Sequence, residues 1–272
     1  MLKQRIFTAV VLAPLALAGV FLLPAVEFSI FIGLIIMLGG WEWANLSGFE
    51  RPAARVGFAL LVGASCWMVN VLPSIWVLSV AVLWWLAAFW LVKGYPDSAR
   101  FCENRFVRLL MGLLTLVPAW FALVQLKSME QGGWLIFMVL ITVWAADCGA
   151  YFAGRAFGKI KLAKNVSPKK TLEGGVGGVL LAVLISAGIA LWNDFSFARG
   201  LGLLLLTVLT TLVSILGDLW ESMLKRERGI KDSSDLLPGH GGILDRIDSL
   251  TAATPVFTLA LIAGLGLATG GG

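Results

Sequence analysis

Apolar residues run through this chain in long blocks separated by short polar breaks. Nine blocks stand out, at residues 6–23, 26–46, 56–72, 74–92, 109–126, 133–153, 174–192, 200–218 and 250–268. Each approaches the about 20 apolar residues that a helix needs to cross a bilayer's hydrocarbon core. Pro24 divides the first block from the second, and Pro73 the third from the fourth. Proline cannot donate the hydrogen bond a helix interior requires, so both mark breaks. The pattern predicts an all-α integral membrane protein, a polytopic bundle of about nine transmembrane helices. A cleaved secretory signal ending at Ala16-Leu17-Ala18 is the alternative for the first block. The length of that block, and the second block close behind it, favour a retained span. No internal repeat is visible, and the Gly tail at 270–272 carries no information.

Composition supports the same class. The chain is 59% hydrophobic and 14% charged, against about 25% charged in ordinary soluble domains. A soluble fold has too little interior for so many apolar side chains, so lipid is the expected solvent. Twelve Trp residues agree, since indole rings favour the headgroup layer. Cys66, Cys102 and Cys148 show no disulfide or metal spacing and read as free thiols. The net charge of +5 does not indicate nucleic acid, because the basic residues follow membrane topology. With the N-terminus inside, only Lys127 and Arg199 of the 21 basic residues fall on the outer side. The positive-inside rule therefore predicts N-in and C-out orientation.

One membrane-embedded domain over 1–272 is expected. Residues 1–126 supply N-terminal transmembrane helices. Residues 127–272 form a C-terminal catalytic region, whose loops 154–173 and 219–249 are long, charged and rich in Gly, Pro and Ser. Functional residues gather on such loops when helices hold them.

Carboxylates cluster at that same face. A carboxylate in mid-membrane costs about 2.5–3.5 kcal/mol on insertion scales. Asp147 lies six residues inside the sixth block, roughly 9 Å deep at 1.5 Å per residue. Asp218 ends the eighth block, Asp245 and Asp248 open the ninth, and Glu42 closes the second. Glu42, between Trp41 and Trp43, is open to two readings: a residue satisfied at a helix end, or part of the site. Asp218, Ser222 and Lys225 or Arg226 share a helix face if the eighth helix continues, as do Asp147, Tyr151 and Arg155. Oxygen donors without His or Cys suit Mg²⁺, which takes one or two carboxylates and completes its shell with water and phosphates. Salt bridging among the same charges is the alternative.

Ser167-Pro168-Lys169-Lys170-Thr171 opens the seventh helix, where free amides and the dipole attract phosphate. Loop lysines that attract anionic lipid are the equal alternative. His240, the only His, sits in Pro238-Gly239-His240-Gly241-Gly242 and suits phosphate contact or loop positioning better than base catalysis.

Residues 222–248 taken together resemble the signature of the phosphatidate cytidylyltransferases, or CDP-diacylglycerol synthases. The resemblance rests on Ser222, Lys225-Arg226, Lys231-Asp232, Pro238, His240-Gly241-Gly242, Asp245-Arg246 and Asp248, none of which departs from the pattern. Asp147-x-x-Ala150-Tyr151 and Ser167-Pro168-x-Lys170-Thr171-x-Glu173-Gly174 resemble the family too. The first 110 or so residues do so only as hydrophobic helices. The resemblance implies an enzyme of the bacterial inner membrane that joins CTP to phosphatidic acid at the cytoplasmic face, giving CDP-diacylglycerol and pyrophosphate for phospholipid synthesis. It implies a divalent metal, Mg²⁺ with room for a second cation, and a homodimer. Catalytic roles then fall to Asp218, Asp245, Asp248, Lys225, Arg226 and His240. Substrate binding falls to Ser167, Lys169, Lys170, Thr171, Ser222, Lys231, Gly241, Gly242 and Arg246. Asp218, Asp245 and Asp147 are the expected metal ligands, with Asp248 as a further one. A long-chain alcohol kinase and a transporter are the rival classes. The kinase would release nucleoside diphosphate, and the transporter would place charges through the membrane rather than at one face.

Overall fold

The computed structural model describes residues 2–264, with side chains for Thr8 and from Val10 onward. The Gly tail, residues 265–268 of the ninth block, and the side chains of Lys3 and Arg5 lie outside the described residues. Within them the helices are α1 (Leu2–Leu22), α2 (Ala25–Leu46), α3 (Pro52–Val69), α4 (Ser74–Lys93), α5 (Arg105–Ser128), α6 (Gly132–Phe157), α7 (Leu172–Trp192), α8 (Phe197–Arg228) and α9 (Leu244–Ile262). Each apolar block of the sequence thus corresponds to one helix. Seven, α2 to α8, are long and apolar enough to cross a membrane, which makes this an α-helical integral membrane protein. Pro24 and Pro73 cap α2 and α4, and Pro52 takes the first turn of α3, where a missing amide hydrogen costs nothing.

The ninth block departs most from expectation. Its helix starts at Leu244, six residues early, and every residue from Thr251 to Phe257 is buried. It packs against α4, α5, α6 and α8, so protein rather than lipid surrounds it. That shelter permits a polar composition. Thr251, Thr254 and Thr258 return their hydroxyls to backbone carbonyls three or four residues back. The tryptophans also differ from a simple headgroup belt. Trp43, Trp84, Trp85, Trp120 and Trp220 are buried in the bundle. Trp43 and Trp120 donate to the carbonyls of Arg108 and Ser29, and Trp84 to the Thr115 hydroxyl. Buried indoles usually find such an acceptor, although the Trp85 and Trp220 indole nitrogens have none among the described residues.

Close helix approach fixes α6 on α7. A Cβ at Gly178 would stand 2.7 Å from the Ala146 carbonyl oxygen, and one at Gly149 would overlap the Gly177 carbonyl. Small residues let membrane helices meet backbone to backbone, where packing replaces the hydrophobic drive absent in lipid. Between these helices the expected loop contains a short antiparallel hairpin, β1 (Lys161–Ala163) with β2 (Ser167–Thr171), pairing Lys161 with Thr171 and Ala163 with Ser167. Thr171 ends the hairpin and caps α7, accepting from the Gly174 amide at 3.1 Å.

Candidate functional site

The long loop expected over 219–249 shortens to residues 229–243, because α8 runs on to Arg228 and stops at Gly229 with φ of 72°. That extension carries Asp218, Ser222, Lys225 and Arg226 along one helix. Ser222 donates to Asp218 Oδ1 at 3.1 Å. Lys170 of β2 reaches Asp218 Oδ2 at 2.5 Å. Arg226 donates to the Val166 carbonyl at 3.2 Å, so the hairpin is tied to α8 at two points.

Beside that tie opens a cavity of about 400 Å³ lined by Asp147, Tyr151 and Arg155 of α6 and by Lys169, Lys170 and Thr171 of the hairpin. Arg155 donates to the Tyr151 hydroxyl at 3.2 Å. The face Asp147-Tyr151-Arg155 and the basic segment, separate in sequence, therefore meet. Asp147 and Asp218 are close enough to repel one another, with Lys170 and Arg246 offsetting the charge on Asp147.

A second cluster sits behind the first. Lys225 Nζ lies 2.6 Å from Asp245 Oδ1 and 3.2 Å from Glu221 Oε2. The carboxylates are nearly sealed, with Asp245 6% and Glu221 3% exposed. Asp245 Oδ2 accepts from the Ser233 amide and hydroxyl and from the Gly242 amide at 2.7–2.9 Å. Asp248 joins the clusters, facing both Asp218 and Glu221.

The Gly-His-Gly-Gly turn is shaped around Asp245. Gly241 has φ of 80°, and a Cβ on it would stand 2.7 Å from Asp245 Oδ2. Only glycine fits both demands. The His240 amide donates to the Leu237 carbonyl at 2.8 Å, and Thr8 of α1 donates to the Pro238 carbonyl at 3.0 Å. Lys231 and Arg246 are exposed, and Ser167 is half-buried in β2.

Glu42 proves to be wholly buried and fully used. Its oxygens accept from the Ser233 and Ser234 hydroxyls and from the amides of Ile243 and Leu244, at 2.5–3.2 Å. Those amides begin α9, whose own cap residue Ile243 offers no side-chain acceptor. A carboxylate from α2 thus caps α9 and satisfies its orphan donors. Sequence spacing left this role open. It also passed over Glu221, whose position four residues before Lys225 was a legible signal, and Ser233, for which nothing in the sequence offered one.

Among the described residues no three His, Cys, Asp or Glu side chains form a ready metal-binding group. The donor chemistry nonetheless fits a hard cation. Mg²⁺ needs only one or two carboxylates, and Asp218 is 29% exposed with an ammonium already on its free oxygen. Buried Glu221, Asp245 and Asp248 gather around the single ammonium of Lys225, an excess of carboxylates that a cation would offset.

A family model described as the cytidylyltransferase family matches residues 3–263. The chain is similar to a phosphatidate cytidylyltransferase of Pseudomonas aeruginosa, at 51% identity over 96% of this chain and 97% of the relative. It is 41% identical to one of Haemophilus influenzae, over 95% and 98%, and 36% identical to one of Brucella suis, over 95% and 92%.

Proposed function

This chain belongs to the cytidylyltransferase family, and on that premise we propose that its two acidic and basic clusters together join CTP to phosphatidic acid. The chain is a nucleotidyltransferase that makes CDP-diacylglycerol and releases pyrophosphate. The observation that carries the site is the meeting of Lys169, Lys170, Arg155 and Asp147 around one cavity, with Asp218 paired to Lys170.

In the reaction a phosphate oxygen of phosphatidic acid attacks the α-phosphorus of CTP. The new P–O bond replaces the bond to pyrophosphate, which leaves with that bond's electron pair. Transfers of this kind rest on positioning and on preorganised countercharge. Lys169, Lys170 and Arg155 hold phosphate oxygens in the cavity, and Lys170 exchanges its Asp218 partner for substrate. Arg246, beside Asp147, extends the positive rim. Lys225 is held on Asp245 and Glu221, so its contribution is to fix those carboxylates rather than to move. Ser222 orients Asp218, while Gly241 and Gly242 let the turn close on Asp245. His240 and Lys231 stand on the loop over the site. Asp218, with Asp147, Asp248 and Asp245, is the set that would hold Mg²⁺, which when bound screens phosphate charge and eases departure of pyrophosphate.

The same reading places nine crossings in a bacterial inner membrane, with the N-terminus and the site on the cytoplasmic side and the chain paired as a homodimer. The skew of basic residues supports the orientation. Purified protein given CTP labelled at the α-phosphorus, Mg²⁺ and phosphatidic acid is expected to move label into lipid, and the Asp245→Asn variant is not. Equal labelling by both proteins would remove Asp245 from the site.

A further inference from the structure

The hairpin that carries Lys169 and Lys170 is too small to hold itself in place. Its strands have three and five residues, and an isolated two-stranded hairpin is marginally stable at best in water. The start of α7 fixes its base. The Leu172 amide donates to the Ile160 carbonyl at 2.8 Å, and the Glu173 carboxylate accepts from the Lys159 and Ile160 amides at 3.0–3.2 Å. Those bonds close the neck and leave the tip to be placed by other contacts.

Val166 supplies that placement. It stands in the turn between the strands, where Lys164 and Asn165 are exposed, yet it is only 1% exposed itself. It belongs to the buried apolar cluster that includes Trp85 and Val92 of α4 and Trp220 and Leu224 of α8. Ala163 packs against the same cluster. Arg226 Nε donates to the Val166 carbonyl at 3.2 Å, and the Asn165 side chain reaches the Tyr95 carbonyl at 3.5 Å. An apolar side chain at a water-exposed turn gains by burial, so the tip is drawn into the bundle.

The second tie, Lys170 to Asp218, is of a different kind. It is an ion pair that Lys170 must leave to hold a substrate phosphate. Burial of Val166 involves no charge and survives that exchange. The tip is therefore the hold that remains when the cavity is loaded.

We propose that Val166 is a positioning residue, which docks the hairpin into the bundle and keeps Lys169 and Lys170 at the cavity while substrate is bound. The inference rests on the function proposed above. Arg226 assists through the Val166 carbonyl, a contact with the hairpin backbone.

Val166→Ser removes the apolar side chain and leaves the carbonyl for Arg226. Val166→Ile keeps an apolar side chain at the same place. Trypsin reads the hairpin without turnover, through cleavage after Lys161 or Lys164 identified by fragment mass. In detergent, wild type and Val166→Ile are expected to resist, with or without CTP and Mg²⁺. Val166→Ser is expected to be cut there roughly tenfold faster or more, the weight of one buried valine side chain, and no faster in the loop after α8. Equal cleavage of Val166→Ser and wild type overturns the proposal. So does cleavage of the wild-type hairpin once CTP is added, because docking would then have depended on the Lys170 ion pair.

CMP transfer tests whether Val166 acts through the lysines. Val166→Ser is expected to lower kcat/KM by about tenfold, and Val166→Ile to keep it near wild type. In a Lys170→Met background the same serine change is expected to cost under about threefold, since the lysine that docking places is gone. An equal loss in both backgrounds means Val166 acts elsewhere than on the hairpin lysines and overturns the proposal. Wild type that transfers no CMP would instead sink the function proposed above, while the trypsin result still reads docking.

Discussion

Replacing Glu42 by Gln preserves shape and removes one acceptor oxygen. Four donors converge on this carboxylate, two from serine hydroxyls and two from backbone amides. The serines can rotate and accept from the new amide group. The amides of Ile243 and Leu244 cannot, so one of them must face an NH₂ group. A buried donor left without an acceptor costs about 1–3 kcal/mol. Loss of negative charge at the start of α9 adds about 0.3–1 kcal/mol. The combined effect of about 1.3–4 kcal/mol falls on the turn that positions Asp245, where each 1.4 kcal/mol is about tenfold in an equilibrium. The assay is CMP transfer at saturating substrates, beside thermal unfolding in detergent. Glu42→Gln is expected to lower kcat by at least about tenfold, with Glu42→Asp intermediate. Glu50→Gln, which loses only an exposed ion pair to Arg228, serves as control and is expected to cost under about 1 kcal/mol. Wild-type kcat together with wild-type unfolding temperature in Glu42→Gln would refute the capping role.

Lys170→Met removes the ammonium shared by Asp218 and the cavity, and is expected to raise the KM for at least one substrate about tenfold, given the strength of charge-assisted bonds to phosphate; unchanged KM values for CTP and phosphatidic acid would clear Lys170 of substrate binding. Gly178→Leu pushes a side chain onto the Ala146 carbonyl and is expected to destabilise by about 1–3 kcal/mol or more, read as a lower unfolding temperature. Burial pushes the Cys102 thiol up to about 11, against the lowering effect of Arg108. In a Cys66→Ala, Cys148→Ser background Cys102 is therefore expected to resist iodoacetamide at pH 8, where it stays a protonated thiol, and to react once detergent denaturation exposes it.

Sequence patterning reached far here for physical reasons. Lipid demands about 20 apolar residues per crossing, so each helix announced itself as a block, and proline marked the breaks. Charges forced to one face likewise exposed Asp147, Asp218, Asp245 and Asp248. The signal weakened wherever protein replaced lipid as the environment. α9 began six residues early because its polar first turn is satisfied by Glu42 and Ser233, partners about 200 and 10 residues away in the chain. The hairpin was unreadable because its strands are too short and too rich in lysine to show alternation. Which lysine meets which aspartate is a matter of helix packing. The spacing of Lys225 gives Glu221 directly, but nothing local pairs Lys170 with Asp218.

The bond between Glu42 and the start of α9 spans 201 positions of the chain. At about 5–20 residues per second of synthesis, those partners emerge roughly 10–40 s apart. Through that interval α2 waits in the membrane with an acid that nothing yet satisfies, and the turn around Asp245 does not exist. The turn around Asp245 is thus among the last parts of the molecule to be assembled. A chain that stalls before its final helix keeps in α2 a carboxylate that lacks the two α9 amides it accepts from in the finished fold.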